Sequence, residues 1–360
     1  MNSNKYLQIF GVSEAQLEIL VAEGLRGGGT WCDLFFEDSV VSDLLLRDGS
    51  VSSGGTHEDY GCGIRVLSGE KTGYAYAEST AWPELLRAAR AAAGIAVSAK
   101  TSAATPGTCH PGHPFCHPEH PFCHPEHPFC HPEPAEGSPS GNLYPVSTDW
   151  RDTSAAQFVP VLQRLDASVR AKDTRVQKVI AMLSSQMSEV MMYNSLGELI
   201  CDTRPMASLI ISVIFSQNGQ TENKQVSRSF RAGAEMITDA LLEELASEAV
   251  AGMDERFAAR RPKGGVMPVV MGAGASGILL HEAMGHAFEA DFNRKGQSIF
   301  ADKMGKRVAK AGINILDDAT VPGNRGSLNW DDEGVPGQKT YMVEDGVLRS
   351  YLHDRIEIVM

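Results

Sequence analysis

Two histidines and a glutamate fall close together in the stretch Leu280-His281-Glu282-Ala283-Met284-Gly285-His286, behind an apolar run. Neutral imidazole is a common ligand for zinc, and a glutamate beside it can deprotonate a metal-bound water. The spacing H-E-x-x-H puts both histidines on one helical face. Here the second histidine comes one residue later. Five residues advance an α-helix by about 500°, which leaves the two rings about 140° apart. An ideal α-helix therefore cannot chelate one ion with both. A π-bulge or a locally unwound turn brings them together, and Gly285, directly before His286, tolerates such a distortion. Spacing alone leaves two readings open. One is a helix with one buried and one exposed histidine. The other is a metal centre.

The surroundings favour the second. Gly277-Ile278-Leu279-Leu280 leads into the motif, and Ala287-Phe288-Glu289-Ala290-Asp291-Phe292-Asn293-Arg294-Lys295-Gly296 follows it. Further on stands Asp331-Asp332-Glu333-Gly334-Val335-Pro336-Gly337-Gln338. Together these resemble the TldD/PmbA family, on the TldD side, whose signature is H-E-x-x-x-H, then F-N-R-K-G, then D-D-E-G-x-P-G-Q. Gly61-Cys62-Gly63-Ile64-Arg65-Val66 and Ser68-Gly69-Glu70-Lys71-Thr72-Gly73-Tyr74-Ala75-Tyr76-Ala77 resemble its N-terminal signature, and Asp202-Thr203-Arg204-Pro205 its middle segment. The resemblance covers nearly the whole chain except residues 105–141.

It implies a cytoplasmic zinc peptidase acting on unfolded or extended peptides, with a PmbA-type partner subunit lacking the zinc motif, or as a homodimer. His281 and His286 are then the Zn2+ ligands and Glu282 the catalytic general base. The family pattern adds a third ligand, a cysteine, nearer the C-terminus. No cysteine follows Cys201 here, and the sequence stops in the apolar, strand-like Ile356-Glu357-Ile358-Val359-Met360. The expectation is a truncated C-terminal domain, perforce short of that cysteine, with Glu289 or Asp291 as substitutes or with activity lost. The alternative of another class is a non-catalytic, PmbA-like partner or assembly subunit.

Composition bounds these readings independently. A chain of 360 residues supports two or three domains and a sizeable core. An apolar share of 42% with 21% charged residues is that of a soluble globular protein. A net charge of −13 argues against nucleic acid and against anionic membranes as partners. Met1 to Phe10 lacks the apolar core of a signal peptide. No apolar run is long enough to span a bilayer. Cys32, Cys62 and Cys201 are scattered, and read as reduced, mostly buried thiols.

The other cysteines belong to a peculiar insert. From His113 to Glu133 the heptad H-P-F-C-H-P-E occurs three times without a change. Cys116, His117, Cys123, His124, Cys130 and His131 are zinc-type ligands. Identical heptads also suggest simple tandem duplication, and two prolines in seven residues block helix and sheet alike. Extended polyproline II backbone on the surface is the reading preferred.

Period and punctuation place the elements. Ser13 caps a helix with Leu17, Leu20 and Val21 on its apolar face, ended by Gly27-Gly28-Gly29. Strands are expected at 32–37 and 40–47, with Asp48-Gly49 as the turn, and at 62–67 and 72–77. A helix covers 82–93, another roughly 154–171. Strands follow at 176–185, 189–193, 198–202 and 207–216, then a helix at about 234–252 and a basic linker at 260–265. The fold class is α+β: hairpin-rich sheets with packed helices, an N-terminal α/β region, then an incomplete C-terminal metallopeptidase domain. The expected division is 1–104, the insert 105–141, a middle segment 142–259 and a C-terminal domain 260–360.

One motif competes. Val266 to Met271 reads as a strand, and Gly272-Ala273-Gly274-Ala275-Ser276-Gly277 fits the dinucleotide fingerprint opening a helix. The helix it opens carries the His-Glu motif, and the acid about 20 residues on, Asp291, would end that helix or follow it and not tip a second strand. Nucleotide binding through this GAGASG loop is the lesser alternative.

Deleting His113–Glu133 is expected to leave the thermal unfolding transition nearly unchanged. A loss above about 2 kcal/mol would show that the repeat packs or holds a structural metal.

Overall fold

Two-residue turns set the register of one large sheet. The computed structural model describes residues 3–98, 141–274 and 276–356. After helices α1 (Ser3–Phe10) and α2 (Glu14–Leu25) come strands β1 (Trp31–Arg47), β2 (Ser50–Ser68) and β3 (Lys71–Ala77). Helices α3 (Trp82–Ser98) and α4 (Ala155–Lys172) are followed by β4 (Val176–Asn194), β5 (Leu199–Gln217) and β6 (Gln220–Phe230). Asp48 and Gly49 have φ of 50° and 72°, and Asn218 and Gly219 have 54° and 80°. These are the left-handed pairs that match a hairpin turn to the twist of its strands. The six strands form an antiparallel sheet ordered β3-β2-β1-β4-β5-β6. The fold is α+β, and because β1 pairs with β4, the N-terminal and middle segments share one sheet.

The strands are longer than the sequence predicts. Residues 32–37 and 40–47 are one strand, and so are 176–185 with 189–193 and 198–202 with 207–216. Polar residues at or beside the expected breaks have partners across the sheet or on the segments packed against it. Ser39 and Ser188 lie opposite each other, both buried. Asp38 meets Arg151 at 2.9 Å. Glu189 accepts from Lys5 at 2.6 Å and from Thr203 at 2.7 Å. Pro205 costs β5 no cross-strand bond to β6, whose pairing starts only at Ala207.

Alternation along β1 defines the core. Cys32, Leu34 and Phe36 pack against α1, α2 and α3. Leu44 and Leu46, on the same face by parity, belong to a second cluster under α4 that α5 (Asp239–Val250) also joins. Ser13 caps α2 as predicted, in a reciprocal capping box with Gln16. The helix expected from 234 starts later, because Thr238 caps it by accepting from the Leu241 N–H, while Ala234–Met236 makes a 3₁₀ turn.

After a short helix α6 (Met253–Ala258), the expected strand Val266–Met271 does not form. It is irregular, without a paired strand among the described residues, and Val266, Val269 and Val270 are exposed. Its side chains are apolar on both faces, so propensity alone does not order it: a strand needs a neighbour to bond. Beyond it lie α7 (Ser276–Leu280), the histidine turn, α8 (Ala290–Arg294) and a small sheet of β7 (Ile315–Asp318), β8 (Lys339–Glu344) and β9 (Val347–Leu348). Phe288, Phe300, Ile315, Met342, Val343 and Leu348 form its own core.

This C-terminal part docks on the large sheet through polar contacts. Asp202, fully buried, accepts from the Tyr144 hydroxyl, the Asn329 amide and Arg204. The Arg355 guanidinium lies 3.9 Å from the Trp31 ring centroid. Of the expected 105–141 excursion, all but Gly141 falls outside the described residues.

Asp202→Ala strips a buried carboxylate from three donors, Arg204 among them. It is expected to lower stability by about 3–5 kcal/mol in urea unfolding. A loss within 1 kcal/mol, in the range of a surface change, would show that the dock is not held here.

Candidate metal centre

The turn carrying the two histidines is a π-helix from His281 to Gly285. The His286 N–H donates to the His281 carbonyl, an i→i−5 bond. That single extra residue per turn answers the spacing problem, since the rings are brought round to the same side. Their centroids lie 4.4 Å apart. One donor atom from each of His281, Glu282 and His286 lies within 4.8 Å of the others. Two nitrogens on a tetrahedral zinc, each at 2.0–2.1 Å, stand about 3.3 Å apart. The cluster is therefore near that geometry and slightly open. All three residues are exposed, so an ion there would keep positions for water or substrate.

Gly285 serves this turn differently from what the sequence suggests. Its φ of −55° and ψ of −58° are ordinary helical values that any residue adopts. Space is the constraint: a Cβ there would lie 3.3 Å from the His281 Nδ1. The ring of His281 thus lies close over Gly285, and a side chain there would push it back by a few tenths of an ångström.

His286 is held from the other side. Its Nδ1 is 2.6 Å from the Glu289 carboxylate, three residues on. That hydrogen bond raises the pKa of the ring above its ordinary value. Proton and metal compete for such a ring. Beneath it Phe288 is fully buried against Phe300, at 4.8 Å between centroids.

Three family models match in order along the chain: PmbA/TldA metallopeptidase domain 1 over residues 32–96, the central domain over 148–253 and the C-terminal domain over 264–357. The chain belongs to the TldD/PmbA family. It is 34% identical over 331 residues to a metalloprotease TldD homolog of Haemophilus influenzae, covering 91% of this chain and 63% of that protein. The metalloprotease MJ0996 of Methanocaldococcus jannaschii is 46% identical over 94 residues, 26% of this chain and 21% of its own length. Two solved structures share the fold. TM0727 of Thermotoga maritima has a TM-score of 0.71 at 20% identity, covering 95% of this chain and 71% of that one. TldE of Thermococcus kodakarensis has 0.67 at 17%, covering 96% and 71%. The chain spans 63% of the length of the Haemophilus relative. Among its described residues no helix is long and apolar enough to cross a membrane.

The family's acidic turn is a dock, not part of the centre. Asp331 accepts from the backbone N–H groups of Glu333 and Val335 at 2.9 and 2.8 Å. Asp332 pairs with Arg204 at 2.6 Å and Glu333 with Arg65 at 2.7 Å. Gly337 must be glycine, because a Cβ would fall 1.9 Å from the Leu328 carbonyl oxygen. Asp291, offered by the sequence as a substitute ligand, pairs with Lys295 at 3.1 Å and lies outside the donor group, as does Glu289. Cys32 and Cys62 are free and buried, and burial pushes their thiols up, Cys32 to about 12. The glycine loop 272–277 lacks the preceding strand that a dinucleotide site requires.

Sequence reasoning missed the bond between His286 and Glu289. Its signal was the i,i+3 spacing, which makes two residues neighbours on a helical surface.

Gly285→Ala is expected to displace the His281 ring and weaken Zn2+ binding about tenfold, or ~1.4 kcal/mol, in competition with a chromophoric chelator. Unchanged affinity would show that the ring has room to spare.

Proposed function

We propose that this chain carries the centre of a zinc-dependent peptidase, with His281 and His286 as zinc ligands and Glu282 as general base. The observation that carries this reading is the convergence of these three donors on one exposed π-turn. The residues fit the ion: two imidazole nitrogens are groups that catalytic zinc sites use, and a glutamate beside them would act on a zinc-bound water and not as a ligand. Family membership and the metalloprotease names of its relatives support the same reading. A bound zinc supplies Lewis acidity toward a peptide carbonyl and lowers the pKa of water.

The protein's own residues do the rest. Glu282 follows His281 directly, so its carboxylate reaches the same exposed surface as both rings. There it takes the proton of the attacking water and passes it to the leaving amine. His281 and His286 fix the ion against Glu282 without closing access from solvent. The substrate in this reading is an unfolded or extended peptide. It lies as a strand against a sheet edge, where backbone hydrogen bonds read conformation and not sequence. A PmbA-type subunit or a second copy is the proposed partner, and the cytoplasm the proposed compartment.

Glu282→Gln is expected to keep zinc and lose about 10²–10⁴ of the rate on an unfolded peptide. His281→Ala and His286→Ala are expected to lose both. Equal rates for Glu282→Gln and wild type, with zinc measured in each, would remove Glu282 from the chemistry. A wild-type protein that takes up no zinc would overturn the reading as a whole.

A further inference from the structure

We propose that Glu289 is the positioning carboxylate of this centre: it accepts from Nδ1 of His286 and so presents Nε2 to the ion. The inference rests on the zinc reading above and adds a residue to it. A metal-bound histidine has one ring nitrogen on the ion, and the partner of the other fixes its tautomer and orientation. Glu289 stands 2.6 Å from Nδ1. With that nitrogen engaged, Nε2 is the one left for an ion.

Its aim is set by backbone, which a side-chain substitution leaves alone. The flanking Ala290 N–H donates to the Leu352 carbonyl at 2.8 Å, and the Leu352 N–H donates to the Phe288 carbonyl at 2.8 Å. The Glu289 carbonyl accepts from the Asn293 side-chain amide at 2.8 Å and from its backbone N–H at 3.3 Å. Asn293 is itself buried and also donates to the Ala287 carbonyl at 2.8 Å. Phe288, next to Glu289, is anchored in the C-terminal core. Glu289 starts α8 without a capping bond from its side chain, so the carboxylate has no role in that helix. The segment around Glu289 is thus tied to two other parts of the chain, and its side chain is turned to the histidine.

The two ligands are then held by different means. His281 lies against the bare position at Gly285, His286 against a charged acceptor. A carboxylate behind an imidazole also raises its basicity as a ligand. Glu289 is therefore a positioning residue and not a substitute ligand.

The test compares wild type, Glu289→Gln and Glu289→Ala with two readouts. Zinc affinity, by chelator competition, is expected to fall about 10- to 100-fold in Glu289→Ala. Glu289→Gln is expected to lie between, since its amide oxygen still accepts from Nδ1–H. Imidazole ¹⁵N spectra of the zinc-free proteins at alkaline pH, where the ring is neutral, read the tautomer directly. Wild type is expected to show His286 with its proton on Nδ1, and Glu289→Ala to move it toward Nε2. An unchanged tautomer or unchanged affinity in Glu289→Ala overturns the proposal. A wild type that binds no zinc sinks the metal reading instead, and the tautomer spectrum still decides whether Glu289 orients His286.

Discussion

The bond from the His286 N–H to the His281 carbonyl is the contact on which the site depends. With four intervening residues, an α-helical path would turn the two rings away from each other. One i→i−5 bond removes the mismatch and puts His281, Glu282 and His286 on a common surface. Such π-helical turns are rare, and contacts around this one frame it. Gly285 leaves room for the His281 ring, Glu289 engages His286, and Phe288 plugs the turn into an apolar core.

That core is small, and the C-terminal part leans on the large sheet by charge. Arg65 and Arg204 stand on the sheet face opposite the helices by strand parity. They receive Glu333 and Asp332 of the acidic turn. Tyr144, Asp202 and Asn329 form a buried hydrogen-bonded knot beside them. Polar docking of this kind specifies one register between two layers, because each buried donor must find its acceptor. The long antiparallel strands give it a stiff platform. The same two arginines explain why the acidic turn, rich in carboxylates, is no rival metal site.

Much of this was legible in the sequence. Ser13 and Asp48-Gly49 announced a helix start and a hairpin, because their chemistry is local. The histidine spacing announced that an α-helix would not do. What local reasoning lost was set by partners distant in sequence. Ser39 and Ser188 looked like strand breaks and are buried opposite each other. Val266–Met271 had the composition of a strand and lacks a neighbour. Gly285 was credited with unusual dihedrals, but its backbone is ordinary and what sets it apart is the His281 ring lying close over it. Glu289 was weighed as a ligand, and its contact with the His286 Nδ1, signalled only by the i,i+3 spacing, went unread.

The cysteines and histidines of the heptad repeat are zinc-type ligands that could compete with the centre. X-ray absorption at the zinc edge, on protein loaded with one equivalent, separates the two by bond length. Zinc held by His281 and His286 should show only nitrogen and oxygen neighbours at 2.0–2.2 Å, with imidazole scattering that Glu282→Gln leaves in place. A sulfur shell at about 2.3 Å, or a spectrum unmoved by His286→Ala, would contradict the account.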